Sequence, residues 1–375
     1  MRAGNYQPQV AGYQAFIPTP LPPKPALSFD MEMQSLLSKA DRALGRLDGS
    51  IRTLPNPDLF VFMYVRKEAV LSSQIEGTQS SLNDVLEAEA EILDNGRPRD
   101  VDEVINYVRA MNYGLERLQT LPLSTRLIRE IHGTLLNGTR GGNTGPGELR
   151  RIQNWIGPQG CAVQEASFVP PPPQTVEDHL QALEVFLHQD ELPALIQIGL
   201  AHVQFETIHP FLDGNGRVGR LLIAFLLAER EIMQTPVLYI SHYFKKHRQA
   251  YYERLQAVRD NGDWEGWLKF FLNGINEVAQ EATETSRKIV DLREQHRRVI
   301  TQHFSRVAAN ALNVLELLYE KPIIKVQDIV DLTQVSYTAA NNLMTKFVEH
   351  GLLNEVTGNS RNRQFRYGPY IDLFN

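Results

Sequence analysis

Apolar residues recur at three- and four-residue spacing along most of the chain, the period of helices with one buried face. The pattern predicts helices over Met31–Leu47, ending at Gly49, and over Asp58–Ser73 after Pro55 and Pro57. Further helices are predicted over Leu82–Leu93, Val101–Leu118 and Thr125–Leu136, the last closed by Asn137-Gly138 as a C-cap signal. The pattern resumes over Thr175–Leu187 and Pro193–Thr207, and Val218–Glu229 (VGRLLIAFLLAE) is apolar enough to read as a buried helix. His247–Val258 and Trp264 to about Arg298 continue it, the last part reading as a charged linker helix with Lys288, Arg293, Arg297 and Arg298 among acids. Two segments interrupt the helical period. Residues 1–30 hold Pro18, Pro20, Pro22, Pro23 and Pro25, which excludes a helix and predicts an extended arm lying on the next domain. Residues 138–173 cluster Gly138, Gly141, Gly142, Gly145 and Gly147. Gln153-Asn-Trp-Ile-Gly157 and Phe168-Val-Pro-Pro-Pro-Pro173 follow, predicting a loop and a short β-hairpin.

From about Asn310 the chain reads as a separate small unit. Helices are predicted over Ala311–Glu320, Val326–Leu332 and Ser336–Glu349, then Leu352–Val356 and Gln364–Tyr367 flank the turn Thr357-Gly-Asn-Ser360. Three helices followed by a two-stranded wing is the winged-helix order. The fold class is therefore mainly α. With 375 residues the chain suits two or three domains. We divide it into an arm and helical domain at 1–120, a core at 121–275, a linker helix at 276–309 and the winged helix at 310–375.

Composition narrows the setting. No apolar run approaches the ~18–20 residues of a membrane span, and Met1-Arg-Ala-Gly-Asn-Tyr-Gln-Pro8 lacks the apolar core of a signal peptide. The single Cys161 excludes an intrachain disulfide framework and fits a reducing, cytoplasmic setting. A formal net charge of −6 argues against nonspecific binding of nucleic acid or anionic membrane by the chain as a whole.

The richest chemistry lies in His209-Pro-Phe-Leu-Asp-Gly-Asn-Gly-Arg-Val-Gly-Arg220. Pro210 pushes His209 out of the α region, so a helix ends there. Two glycines around one asparagine permit a tight turn whose N–H groups share one concavity. The buried helix that starts near Arg217 brings its positive end to the same place, and Arg217 and Arg220 share one of its faces. Such a loop can hold a polyphosphate. Asp213 offers a hard oxygen to Mg²⁺, and His209 can take a proton from a hydroxyl near neutral pH.

This segment matches His-x-Phe-x-(Asp/Glu)-Gly-Asn-Gly-Arg-x-x-Arg and resembles the signature of the Fic family. The likeness extends over almost the whole chain, to the large bacterial Fic proteins. It implies a Fic helical bundle with a β-hairpin flap, and transfer of AMP from ATP, with Mg²⁺, to a Ser, Thr or Tyr hydroxyl of a target protein. Under it, His209 is the general base, Asp213 the Mg²⁺ ligand and Gly214, Asn215 and Gly216 the anion nest. Arg217 and Arg220 hold phosphates, Arg220 at the γ-phosphate. Val218 and Gly219 fall within the same nucleotide-binding run. Ser72-Ser-Gln-Ile-Glu76-Gly77 resembles the family's inhibitory motif (Ser/Thr)-x-x-x-Glu-(Gly/Asn), in which Glu76 pairs with Arg220 in place of the γ-phosphate. The segment Ile152–Pro173 resembles the flap that registers a target by strand addition. Tyr252, which follows the basic run Lys245-Lys246-His247-Arg248, is assigned to the adenine, and Lys246 within that run to a nucleotide contact.

The partners expected are a hydroxyl-bearing target protein, the chain itself by self-modification, and DNA, another protein or a second copy at the winged helix. DNA needs a basic stripe, and only the wing is basic, with Arg361, Arg363 and Arg366. Two other readings stay open beside AMP transfer: a DNA-binding regulator that senses nucleotide, and removal of AMP from modified protein. The related Doc kinases carry a lysine where this chain has Gly216, which disfavours phosphorylation.

Overall fold

The structure is a computed structural model that describes residues 2–52, 57–92, 100–139, 145–158, 160–234, 237–358 and 363–374, with the backbone alone for 58–60. Its helices follow the hydrophobic period. Among the described residues, α1 (Met31–Arg52), α2 (Asp58–Ile75), α3 (Leu82–Glu89), α4 (Val101–Leu118), α5 (Thr125–Leu136) and α6 (Val176–Leu187) lie in the order expected. Ser81 and Ser124 cap α3 and α5 with their side-chain oxygens.

Two helices run through the centre. In α7 (Ala194–Ile208) every residue from Leu195 onward is buried, and α8 (Asn215–Glu229) is nearly as enclosed. A helix buried on all sides must satisfy its polar side chains internally. Gln197 Nε2 donates to the carbonyls of Phe186 and Gln189 at 2.8 and 2.7 Å. His202 bridges from Nδ1 to the Gly219 carbonyl (2.8 Å) and from Nε2 to the Tyr251 hydroxyl (2.9 Å). Next come α9 (Ser241–Lys246) and α10 (Arg248–Asn261). The sequence pattern, which begins a helix at His247, did not register α9, because six residues make fewer than two turns of helix.

The 40-residue α11 (Trp264–His303) packs along α1. The charged stretch expected to be a linker is its second half. It is not free-standing: Ile289, His296 and Ile300 are buried, while Lys288 and Arg293 pair outward with Glu284 and Glu316. Tyr64 of α2 donates to the Ala282 carbonyl at 2.9 Å, so α11 also braces α2.

The N-terminal arm is a paired hairpin, β1 (Gly4–Pro8) with β2 (Gln14–Pro18), where only an extended arm was expected. Proline excluded a helix but left strand pairing open, since Pro8 and Pro18 sit at strand ends. The hairpin rests on the α10–α11 corner, through Tyr6 to Asp260 and Arg2 to Glu265, rather than on the helices that follow it. Phe16 N–H also donates to the Val169 carbonyl at 2.9 Å. In the segment expected as a hairpin flap, the pairing among the described residues is one antiparallel bridge, Ile156 with Phe168, around a 3₁₀ turn at Val163–Glu165. Pro170 to Pro173 have no N–H to extend it.

The C-terminal unit runs α12 (Ala308–Glu320), β3 (Ile323–Lys325), α13 (Val326–Thr333), α14 (Tyr337–Glu349), β4 (Asn354–Glu355), β5 (Gln364–Arg366) and α15 (Gly368–Ile371). The sheet order is β3-β5-β4, antiparallel throughout, so β3 adds a strand that the pattern missed. Asn359 and Ser360 of the expected turn, with Arg361, lie outside the described residues, as do Leu93, Pro55, Gly141 and Gly142. A buried chain from His296 Nδ1 to the Tyr367 hydroxyl (2.7 Å) and on to that of Tyr319 (3.1 Å) ties this unit to α11. No described helix is long and apolar enough to cross a membrane.

The close crossing of α4 and α8 yields a test. A Cβ on Gly114 would lie 2.3 Å from the buried Phe225 ring, whereas one on Gly45 of α1 meets nothing within 4 Å. Gly114→Ala should lower stability by about 1–3 kcal/mol through overpacking, and Gly45→Ala should raise it by about 0.5–1 kcal/mol. Thermal and urea unfolding of the two variants should move in opposite directions.

Candidate active site

The site forms where α7 hands over to α8. His209 adopts φ 49° and ψ 60°, a left-handed conformation that ends α7, while its N–H still reaches the Phe205 carbonyl at 2.9 Å. Pro210 stops the helix from continuing. Asn215 then staples the turn: Phe211 N–H donates to its Oδ1, and its Nδ2 donates back to the Phe211 carbonyl, both at 2.8 Å. Gly214, at φ 78°, supplies the left-handed step before α8 starts. The first N–H groups of α8 have no partner within the helix, and Gly216 in its first turn lies in the cleft wall, a setting that favours an anion.

The turn is also held from behind. His132 stacks on Phe211 at 3.7 Å. Gly147 N–H donates to its Nδ1 at 2.8 Å, so Nε2 carries the proton and donates to the Asp213 carbonyl at 3.0 Å. Burial pushes the His132 pKa down to about 4, which keeps this tautomer neutral. Arg150 donates from Nε to the His209 carbonyl (2.9 Å) and from Nη2 to that of Pro171 (2.5 Å), and Asn154 donates to the Phe211 carbonyl (2.8 Å). The flap segment and the catalytic-loop candidate are thus one hydrogen-bonded body.

The strongest contact in the site joins α8 to the end of α2. Arg220 is nearly inaccessible. Its Nε donates to Ser72 Oγ at 2.8 Å, and its Nη2 to the Ser72 carbonyl at 3.0 Å and to Glu76 Oε1 at 2.6 Å. Glu76 presses on the loop as well, since a Cβ on Gly216 would come within 2.2 Å of Oε1. Enclosure works to raise the Glu76 pKa, but the charge and hydrogen bond of Arg220 outweigh it and hold the carboxyl below its usual range. Burial disfavours the Arg220 charge, and Glu76 more than restores it. Arg217 pairs with Glu103 of α4 at 3.2 Å and approaches Asp213 at 3.6 Å.

Beside the Arg220–Glu76 contact lies a cleft of about 680 Å³. Glu76, Gly216 and Arg220 form one part of its wall, Trp155, Ile156 and Phe168 of the flap segment another, and Tyr251 and Tyr252 of α10 a third. His209 opens onto it. Burial, with the charges of Arg259 and Arg150, pushes the His209 pKa down to about 3, so the ring is neutral at physiological pH. Asp213 sits half-exposed beside the N-terminus of α8. No cluster of three metal-ligating side chains occurs among the described residues. One accessible carboxylate next to an anion nest nonetheless fits Mg²⁺, which takes one or two carboxylates and draws its other ligands from water and phosphate.

Of the residues singled out in the sequence, Asp213, Gly214, Asn215 and Arg217 sit in the turn and helix start beside the cleft, while Glu76, His209, Gly216, Arg220 and Tyr252 help to wall it. Val218 and Gly219 do so only from behind: Val218 is fully buried in the core and Gly219 backs onto Glu206. Tyr252 faces the cleft. Lys246 does not, because the break at His247 leaves it at the end of α9, paired with Glu277 of α11 at 2.5 Å. Sequence reasoning passed over Glu206 and Arg259, which line the cleft with Arg248 of the basic run, and over His132, Arg150 and Glu103, which support the loop. Glu206 alone left a usable signal, as an acidic residue in a helix otherwise without charge.

Two family models match the chain: that of the Fic/DOC family N-terminal region over residues 34–116 and that of the Fic/DOC family over residues 122–227, together just over half of it. Among curated proteins the chain is similar to the protein adenylyltransferase Fic of Drosophila yakuba, 29% identical over 254 residues, which are 64% of this chain and 46% of that protein. The enzyme of the same name from Drosophila grimshawi is 30% identical over 176 residues, 45% of this chain and 32% of the relative. The chain thus spans less than half the length of these relatives. A Fic family protein from Desulfovibrio desulfuricans G20 superposes with a TM-score of 0.60 at 19% identity, over 91% of this chain and 97% of its own. A Fic domain-containing signaling protein from Bacteroides thetaiotaomicron VPI-5482 gives 0.52 at 19%, over 68% and 96%. At these identities the agreement is one of fold, a mainly α Fic bundle.

The buried rings of the site make a pH prediction. Burial pushes the His202 pKa down to about 3, against an ordinary value of 6.5. The neutral ring therefore contributes stability above pH 6.5 that is lost as pH falls toward 3. In His202→Asn that contribution is absent. The stability difference between the native protein and the variant should shrink by about 1.4 kcal/mol for each unit that pH drops below 6.5, read from urea unfolding at pH 7, 6 and 5.

Proposed function

The chain belongs to the Fic/DOC family, and on that footing we propose that it is a protein adenylyltransferase held in check by its own Glu76. The observation that carries the reading is the 2.6 Å pair between Arg220 and Glu76, set against Gly216 at the mouth of the anion nest. A carboxylate in that place marks where a phosphate would go.

In this reading ATP lies with its phosphates over Gly214, Asn215 and Gly216 and between Arg217 and Arg220, and with its base toward Tyr252. Bound Mg²⁺, on Asp213, would neutralise phosphate charge. His209 takes the proton from a Ser, Thr or Tyr hydroxyl of the target, and the resulting oxygen attacks the α-phosphorus. The new P–O bond forms as the bond to the pyrophosphate oxygen breaks, which gives an AMP-protein and pyrophosphate. The ring is neutral before the reaction and so can accept the proton, and the incoming phosphates raise its basicity. Catalysis is positioning and charge stabilisation, as phosphoryl-type transfer requires. Glu76 opposes it by occupying Arg220, which the γ-phosphate needs. The flap segment 152–173, fixed to the loop by Arg150 and Asn154, is the proposed edge on which a target segment, or a segment of the chain itself, registers.

We read the C-terminal unit as a winged helix that contacts protein rather than DNA. Arg363 of the wing is engaged by Asn341 and Glu355, and Arg366 by Asp372 and Asn83. Arginines already paired with carboxylates of the same chain are poorly placed to neutralise DNA phosphates.

ATP labelled at the α- or the γ-phosphate tests the enzyme. With Glu76→Gly, α-label should appear on protein, about tenfold or more above the native chain, because a charge-assisted hydrogen bond worth ~1.5–3 kcal/mol no longer competes. Adding His209→Ala should abolish it, and γ-label should not transfer. Label from the γ-phosphate alone, or none with any candidate target, overturns the proposal. Loss of label from pre-modified protein on adding the native chain would instead favour AMP removal.

A further inference from the structure

Asp100 stands at the N-cap of α4, where a carboxylate ordinarily accepts from the first N–H groups of its own helix. Its side chain makes no such bond. The carboxylate turns instead to the loop that leaves α2. Oδ2 accepts from the Gln79 N–H at 2.5 Å and the Ser80 N–H at 3.3 Å, and Oδ1 accepts from the Ser80 hydroxyl at 2.5 Å. Ser80 is buried. Burial works to raise the Asp100 pKa, but the hydrogen bonds from Ser80 and Gln79 outweigh it and hold the carboxyl below its usual range. Hydrogen bonds to a charged acceptor are the stronger kind.

The loop is too short to move apart from α2. Gln79 is three residues beyond Glu76, a reach of at most about 11 Å, and the chain turns between them at Gly77, with φ 103°. The loop is also folded back on its helix: Gln74 Nε2 donates to the Ser80 carbonyl at 2.8 Å, and the Thr78 N–H to the Ser73 carbonyl at 3.3 Å. What holds Ser80 therefore holds the last turn of α2, which carries Ser72 and Glu76 to Arg220. Three residues after Asp100, Glu103 pairs with Arg217 in the first turn of α8 at 3.2 Å. The first turn of α4 thus grips both sides of the Arg220–Glu76 contact, the loop behind Glu76 through Asp100 and the start of α8 through Glu103.

We propose that Asp100 is a positioning residue for the inhibition, which holds Glu76 on Arg220 through Ser80 and so sets how readily Arg220 is released to a phosphate. The inference rests on the inhibitory reading of Glu76 given above. The pair must part before a phosphate can take the guanidinium. Arg220 is enclosed in a buried helix, so the partner that moves is Glu76, and the tether to α4 opposes that movement. Asp100 itself lies outside the cleft wall.

ATP labelled at the α-phosphate tests this on four forms of the full-length chain: native, Asp100→Ala, Glu76→Gly and the double variant. Asp100→Ala alone should raise the label on protein about fivefold, the effect of weakening the inhibited state by roughly one net hydrogen bond. In the Glu76→Gly background the same change should leave the label within about twofold, because no inhibitory group remains to be held. Ser80→Ala removes the hydroxyl partner and leaves α4 intact. It should raise the label in the same direction by less, and serves if Asp100→Ala fails to fold. A change that only damages the fold would lower the label in both backgrounds. An unchanged or lowered label in folded Asp100→Ala, or in Ser80→Ala where it stands in, or a rise equally large without Glu76, overturns this inference alone. A Glu76→Gly protein that transfers no α-label overturns the reading beneath it as well.

Discussion

The contact between Arg220 and Glu76 fixes the end of α2 to α8 at the wall of the cleft. Its geometry depends on the elements behind it. Helix α2 can present Glu76 only because it is itself fixed, by Tyr64 to the α11 carbonyl of Ala282 and by Glu68, which accepts from Tyr107 of α4 and from both the N–H and hydroxyl of Ser241 on α9. Helix α8 can present Arg220 because it is buried nearly all round and held in register with α7 by His202. A guanidinium so enclosed must keep a counter-charge, and whichever anion supplies it governs the cleft.

The same enclosure sets the chemistry of the neighbouring groups. His202, His209 and His132 are held neutral by burial, while Glu68 and Glu206 are pushed toward neutrality from the other side, each to about 7. The cleft wall carries Arg220, Arg248 and Arg259 against Glu76 and Glu253, with Glu206 pushed toward neutrality. That imbalance suits a polyphosphate, and it is why the removal of one carboxylate should matter more than any change in packing.

The periphery is tied to this centre by hydrogen bonds, not by apolar area alone. Arg150 and Asn154 bind the flap segment to the carbonyls of His209 and Phe211, and the N-terminal hairpin reaches the same segment through Phe16 and Val169. Residues distant in sequence therefore set the position of the catalytic-loop candidate. The His296–Tyr367–Tyr319 chain does the same for the C-terminal unit on α11.

The helices were legible in the sequence because a 3.6-residue period reports directly which face is buried, and α4 and α5 lie where that period places them. The phosphate loop was legible because a proline, two glycines and two arginines at fixed spacing constrain the backbone locally. What the sequence could not carry was anything decided by contact at a distance. The partners of Pro8 and Pro18 in a hairpin, the reduction of the flap to a single bridge, and the burial of a charged-looking α11 all depend on which surfaces meet. The same holds for the site. His209, Asp213 and Arg220 declare themselves in one twelve-residue run, and Glu76 in a short motif. The support from His132 and Arg150, the diversion of Lys246 to Glu277 and the unpartnered seat of Glu206 against Gly219 arise only when helices cross. The sequence determined the local backbone and the reactive groups it offers, and the tertiary structure decided which of them lose water, and with it their ordinary charge.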